Sequence, residues 1–202
     1  GSSAEREALY RSALSIRRKH LGDHHPDVAK TLDALAVCLL SSGRPAQAEP
    51  LLLEALETRR HAFGEASLAV AETLDNLGGA ASQNGRFERA VVLHQQALGI
   101  LRRTVAADHV SVAYSLNLLG YAMAQSGRFS EAEPYLREAL SIVAKLRNAR
   151  PGTRASIVSN LAHNLHEQGK LSEAERLKRE ALQLVVETKG EDSADTARCK
   201  TS

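Results

Sequence analysis

Two stretches decide how this chain is read: LGDHHPDVAKTLDALA from Leu21 to Ala36, and GRFSEAEPYLREALSI from Gly127 to Ile142. In the first, Leu32, Leu35 and Ala36 are followed by Leu39 at i, i+3, i+4 and i+7, the stripe of a helix with one buried face. Pro26-Asp27 suits a first helical turn, where the missing proline N–H costs nothing and an acidic side chain meets the positive end of the dipole. Gly43 suits the stop, because glycine takes the left-handed turn without strain. The second stretch opens on the same glycine position and runs into a second helix. In the first unit that helix is expected from about Ala46 to Arg60, with Ala48, Leu51, Leu52, Ala55 and Leu56 inward. Pro50 and Pro134 fall near the end of its first turn, where a mild kink rather than a break is expected.

Both stretches belong to a pattern that repeats. Gly43-Arg44, Gly85-Arg86, Gly127-Arg128 and Gly169-Lys170 follow one another at 42 residues. Leu35-Ala36, Leu77-Gly78, Leu119-Gly120 and Leu161-Ala162 keep the same step, as do Ala48, Ala90, Ala132 and Ala174. Ala55-Leu56, Ala97-Leu98, Ala139-Leu140 and Ala181-Leu182 form a further column, which Ala13-Leu14 joins one period earlier. The expected organisation is one array over 4–202. It comprises a half repeat at 4–20, repeats at about 26–62, 68–104, 110–146 and 152–188, and a partial repeat or tail at 189–202. Gly1-Ser2-Ser3 reads as an expression remnant. Small residues where paired helices would meet let their axes approach, and a lone pair cannot bury both its faces, so the pairs must stack.

Composition agrees. The 202 residues are 43% hydrophobic but only 3% aromatic, without Trp. A stack built from Leu and Ala dispenses with large aromatic anchors. A formal charge of +2 is too small to argue for nucleic acid. Cys38 and Cys199 form neither a metal spacing nor a disulfide framework, and their rarity fits a reducing, cytoplasmic setting. No apolar run reaches the roughly 18 residues that span a bilayer.

The columns and the two quoted stretches resemble the tetratricopeptide repeat, in the 42-residue version of kinesin light chains. The resemblance runs from about Ala4 to Thr196 and implies an all-α solenoid of antiparallel helix pairs in a right-handed superhelix. The ordinary unit has 34 residues. Eight more would lengthen the second helix and its loop by about 12 Å if wholly helical. Where kinesin-type units carry paired asparagines, this chain has Asp33-Ala34, Asp75-Asn76, Asn117-Leu118 and Ser159-Asn160.

The resemblance implies a protein–protein interaction scaffold that binds a peptide or protein segment in a concave groove. A second reading is a regulatory or sensor module of a larger multidomain protein of kinase or nucleotide-switch type, acting through intramolecular or oligomeric contacts. At about 100° per residue, Lys30, Asp33 and Val37 lie opposite the leucine face of their helix. Their equivalents are Glu72, Asp75 and Asn76, then Tyr114, Asn117 and Tyr121, then Asn160 and His163. The early part of this strip is acidic, so a ligand basic there and apolar or aromatic near the tyrosines is expected. Asn side chains can hold an extended backbone, since each offers a donor and an acceptor.

Other constellations point elsewhere. Arg17-Arg18-Lys19, Arg59-Arg60, Arg102-Arg103 and Lys145-Leu146-Arg147 end successive second helices, where cations offset the macrodipole. Stacked, they would also form a basic ridge for an acidic partner. His163 and His166, with Glu167 adjacent, could share a metal at i and i+3, but a site needs three or four ligands and a supporting shell, so no metal or other cofactor is expected. His25 and its counterpart His109 are read as loop-ordering. No nucleophile elbow, phosphate-cradling loop or zinc-protease motif occurs, so no catalytic residue is named and an enzyme is not expected. The columns carry no base-reading code, which argues against nucleic acid. The expected partners are a protein or peptide, with self-association through the terminal helices as a further expectation and no membrane.

Overall fold

The computed structural model describes residues 3–146 and 151–189. These form nine α-helices and no strand: α1 Ser3–Leu21, α2 Pro26–Ser41, α3 Pro45–Phe63, α4 Leu68–Gln83, α5 Phe87–Thr104, α6 Val110–Gln125, α7 Phe129–Lys145, α8 Pro151–Glu167 and α9 Leu171–Lys189. The expected partial repeat beyond Lys189 lies outside the described residues. The helices fall into two compact units, Gly1–Val105 and Ala106–Ser202. The 42-residue register passes Val105 unbroken, so this division belongs to the packing and not to the pattern.

Each first helix ends on the same device. Gly43 has φ of 68°, its N–H bonds to the Leu40 carbonyl, and the Arg44 N–H reaches back to Leu39. That pair of bonds satisfies the carbonyls a helix end leaves open. Gly85, Gly127 and Gly169 repeat it, with Arg86, Arg128 and Lys170 as the second donor. The glycine-basic column is therefore a helix stop. Two helix starts repeat as well: the Nδ1 atoms of His25 and His109 accept from the N–H of Asp27 at 3.1 Å and of Ser111 at 3.2 Å. The loop-ordering role is thus an N-cap. Helices α3 and α7 run through Pro50 and Pro134 without a break.

In the first unit α1 packs on α2, α2 on α3, α3 on α4 and α4 on α5; in the second, α6 packs on α7, α7 on α8 and α8 on α9. Leu32, Leu35, Leu39, Leu74, Leu116, Leu119 and Leu161 are almost wholly enclosed. Each such burial stabilises by about 1.5–3 kcal/mol before the cost of ordering the chain. The small-residue column sets how closely helices approach. A Cβ built on Gly78 would lie 2.4 Å from His94 Cε1, and one on Gly120 would lie 2.6 Å from Leu136 Cγ. Within each unit the first helices also touch one another, α2 with α4 and α6 with α8. The second helices stand further apart and meet only through long side chains, Arg89 of α5 with Glu49 of α3 at 2.7 Å and Arg137 of α7 with Glu173 of α9 at 2.9 Å among the described residues. The first helices therefore form the tighter, inner row of their unit.

Candidate functional site

The inner row of the first unit exposes Lys30, Val37 and Glu72, with Asn76 half-buried. Asp33 and Asp75 are not part of that surface: they retain 7% and 5% of their exposure. Asp33 Oδ2 lies 2.7 Å from Arg59 Nη2, and the carboxylate accepts from Thr73 Oγ1 at 3.1 Å and Asn76 Nδ2 at 3.5 Å. Arg59, itself buried, also donates to the Ala69 carbonyl at 2.6 Å and to Thr73 Oγ1 at 2.9 Å. Burial raises the Asp33 pKa against the opposing pull of Arg59, Thr73 and Asn76. Asp75 pairs with His94 at 2.8 Å, the two side chains enclosed together. The expected acidic strip is thus corrected, since both carboxylates are consumed internally. A wheel drawn for one helix treats the arc opposite its leucines as wet. Here α2 meets α4 as well as α3, and the second neighbour closes over Asp33. The signal was present in the sequence as Arg17, Thr31, Arg59 and Thr73: Arg17 donates to Thr31 Oγ1 at 2.6 Å as Arg59 does to Thr73.

In the second unit the inner row keeps its expected exposure at most positions. Tyr114 and Tyr121, i and i+7 on α6, are 48% and 37% exposed, His163 on α8 is exposed and Asn160 is half-buried. Asn117 is the exception. It is 6% exposed and its Oδ1 accepts from Asn160 Nδ2 at 2.9 Å. That bond repeats the one from Asn76 to Asp33. His166 stands exposed beside Glu167.

The basic helix ends are largely occupied. Arg59 is interior, Arg18 pairs with Glu54 and Asp23, and Arg60 pairs with Glu65 at 2.9 Å. Arg147 lies outside the described residues. A different ion-pair ladder joins three of the four glycine-basic turns to the second helix before them: Arg44 to Glu7 at 2.5 Å, Arg86 to Glu49 at 3.3 Å and Lys170 to Glu133 at 2.5 Å. In the sequence register Val91 stands where those acids stand, and Arg128 pairs within its own helix start, to Glu131 at 2.8 Å. Burial pushes the Glu133 carboxyl up, but hydrogen bonds from Lys170, Arg137 and Gln168 overrule it and bring the pKa down to about 2. Buried Asn164 and half-buried Gln168 both donate to the Phe129 carbonyl, fastening α8 to the start of α7. Among the described residues no helix is long and apolar enough to cross a membrane.

This geometry, helix hairpins with a small-residue seam and an inner row of first helices, agrees with the family comparisons. Models of the tetratricopeptide repeat match residues 4–61, 31–103 and 69–145, and a further one matches 154–195. The chain belongs to the tetratricopeptide repeat family, and its 42-residue unit is of the kinesin light chain-like type. No curated protein sequence matches it. Among solved structures, BtubC (BKLC) from P. vanneervenii is 26% identical, with a TM-score of 0.77 over 94% of this chain and 76% of that one. Nearly identical TPR-like repeats assigned to a Podosopora anserina kinesin light chain are 24% identical, with a TM-score of 0.73 over 92% and 88%. Rap protein, complexed with Competence and Sporulation Factor, shares the fold at 16% identity and a TM-score of 0.77, over 96% of this chain and 56% of Rap. The protein is an all-α repeat scaffold of the protein-interaction kind.

Proposed function

We propose that the chain binds an extended protein segment along the inner first-helix row. The principal contacts fall in the unit Ala106–Ser202: an apolar or aromatic ligand side chain against Tyr114 and Tyr121, with the ligand backbone held by Asn160 and His163. The observation that carries this reading is the exposure of two of the four tyrosines in an aromatic-poor chain, on one face of one helix. Tyrosine supplies a large rigid contact area at small entropic cost, and exposed aromatics on a concave surface favour a partner over water. Asn160 Oδ1 remains to accept from a peptide N–H, because its Nδ2 already donates to Asn117. The corresponding row of the first unit offers Lys30, Val37, Glu72 and Asn76, a mixed-charge surface without a net preference for a basic ligand. Rap, which shares the fold, is itself found in complex with Competence and Sporulation Factor.

Peptide-array screening against the intact chain, repeated with Tyr114→Ala and Tyr121→Ala, tests the reading. Each change should weaken selected peptides by about tenfold, the loss of an interfacial anchor of 1–2 kcal/mol. Unchanged affinity in both variants for every peptide found would remove the tyrosine face from the proposal.

A further inference from the structure

The second helices of the unit Gly1–Val105 end on consecutive basic positions, and these positions meet three different fates. The first turns inward: Arg17 donates to Thr31 Oγ1 at 2.6 Å and Arg59 to Thr73 Oγ1 at 2.9 Å. The second is tied to acids: Arg18 to Glu54 and to Asp23 at 3.3 Å, and Arg60 to Glu65 at 2.9 Å. The third, occupied by Lys19, His61 and Arg103, is exposed and forms no ion pair among the described residues. Cations at a helix C-terminus offset its dipole, but in α1 and α3 the two preceding positions already supply them. Two residues further on, Leu21, Phe63 and Val105 fill the next column. Leu21 is 44% and Phe63 53% exposed, and Leu68, at the start of α4, is 37% exposed. Helix α3 has α2 packed on one side and α4 on the other, so the exposure of Phe63 belongs to this end of the hairpins and not to a lack of neighbours.

We propose that this edge is a docking surface for an acidic, extended segment of a partner protein that also carries large apolar residues. Its carboxylates lie against Lys19, His61 and Arg103, and its hydrocarbon against Leu21, Phe63 and Leu68. Charge complementarity decides the occupant. The three groups left without an ion pair are all basic, one per repeat, while the acids Asp23 and Glu65 are held by Arg18 and Arg60. Glu57 stands exposed one turn before His61. Those carboxylates repel an unbroken run of phosphates or anionic headgroups, whereas a peptide can set a neutral residue against each of them. The apolar column points the same way, because exposed hydrocarbon is removed from water by apolar side chains and not by a phosphate backbone.

The probe is a random-peptide library displayed on phage, selected on the intact chain and counter-selected on the Arg103→Glu chain. The recovered peptides should be rich in Asp and Glu and should each carry a large apolar residue. Synthesised and measured singly by fluorescence anisotropy, they should lose at least about tenfold in affinity to the Lys19→Glu and Phe63→Ser chains. Their binding should also weaken as salt rises, since exposed charge pairs are screened. All three chain variants alter exposed residues, and unchanged thermal unfolding confirms that they fold. Recovery of no peptide, of peptides without an acidic excess, or of peptides indifferent to Phe63→Ser would overturn the proposal. So would a dimer of the chain that Phe63→Ser dissolves. Retention on DNA or on phosphatidylserine vesicles that Arg103→Glu abolishes, with no such peptide recovered, would assign the edge to a polyanion instead. Peptides bound through Tyr114 and Tyr121 should bind the Arg103→Glu chain normally, so this inference and the proposed groove fail separately.

Discussion

The joint around Arg59 in the first unit and the joint around Val143 in the second occupy the same place in the repeat and are built from opposite materials. Asp33, Arg59 and Thr73 correspond, two periods on, to Asn117, Val143 and Ile157. The first set forms a buried ion pair with hydrogen bonds from Thr73 and Asn76; in the second, Val143 and Ile157 fill the space with hydrocarbon. One feature survives the exchange, the amide donating across the inner row from Asn76 to Asp33 and from Asn160 to Asn117. The same backbone packing thus tolerates either chemistry, provided that each buried polar atom finds a partner. The polar version fixes geometry more than it adds stability, because desolvating both charges offsets most of their attraction. The apolar version leaves the inner face free of internal charge, and there the tyrosines stand exposed.

The sharpest way to break this comparison is to remove one side of the ion pair. Arg59→Met strands the Asp33 carboxylate and should cost about 3–5 kcal/mol in urea unfolding, whereas Val143→Ala should cost about 1–3 kcal/mol. Adding Asp33→Leu to Arg59→Met should return most of the loss. Equal costs for the two single variants would show that the joints are energetically alike. Next come the two glycines. Gly78→Ala presses on an imidazole held by Asp75 and should destabilise by about 1–3 kcal/mol, while Gly120→Ala meets a leucine that can rotate and should cost less. Thermal unfolding of the pair decides which neighbour yields.

Acid separates the units by sign. Glu133 has its folded pKa lowered to about 2, so its contribution is present above the unfolded value and is lost as pH falls towards 2. Asp33 has its folded pKa raised, so its contribution is fully present below the unfolded value and is lost as pH rises through the folded one. Acidification from pH 6 to 3 should therefore loosen α7–α9 before α3–α4, read by hydrogen exchange normalised for its intrinsic pH dependence. Glu133→Gln should flatten the response of the second unit. The smallest expected effect concerns the ladder. Arg44→Ala breaks an inter-helix pair and should lower the thermal midpoint only slightly, with Arg128→Ala below it because its partner Glu131 is only three residues away.

Much of this was legible before any coordinates. The glycine column announced the helix stops, His25 and His109 the ordered loops, and the Leu and Ala columns the buried seam, because each depends on a residue's own backbone preference or on periodicity along one helix. The candidate groove was legible only in part. Tyr114, Tyr121 and His163 are exposed where the helical wheel put them, but Asp33, Asp75 and Asn117 are not, since a single-helix wheel cannot represent a second neighbour. Nor did it show that Glu7, Glu49 and Glu133 answer the basic residue 37 positions later.

The sequence by itself determined the 42-residue period, the alternation of first and second helices, their ends and their leucine faces, all consequences of local stereochemistry and hydrophobic spacing. Only the tertiary structure decided which polar residues meet water and which meet each other. Burial is set by every helix packed around a side chain, and the partners Arg59 and His94 reach Asp33 and Asp75 from helices that no local pattern connects to them.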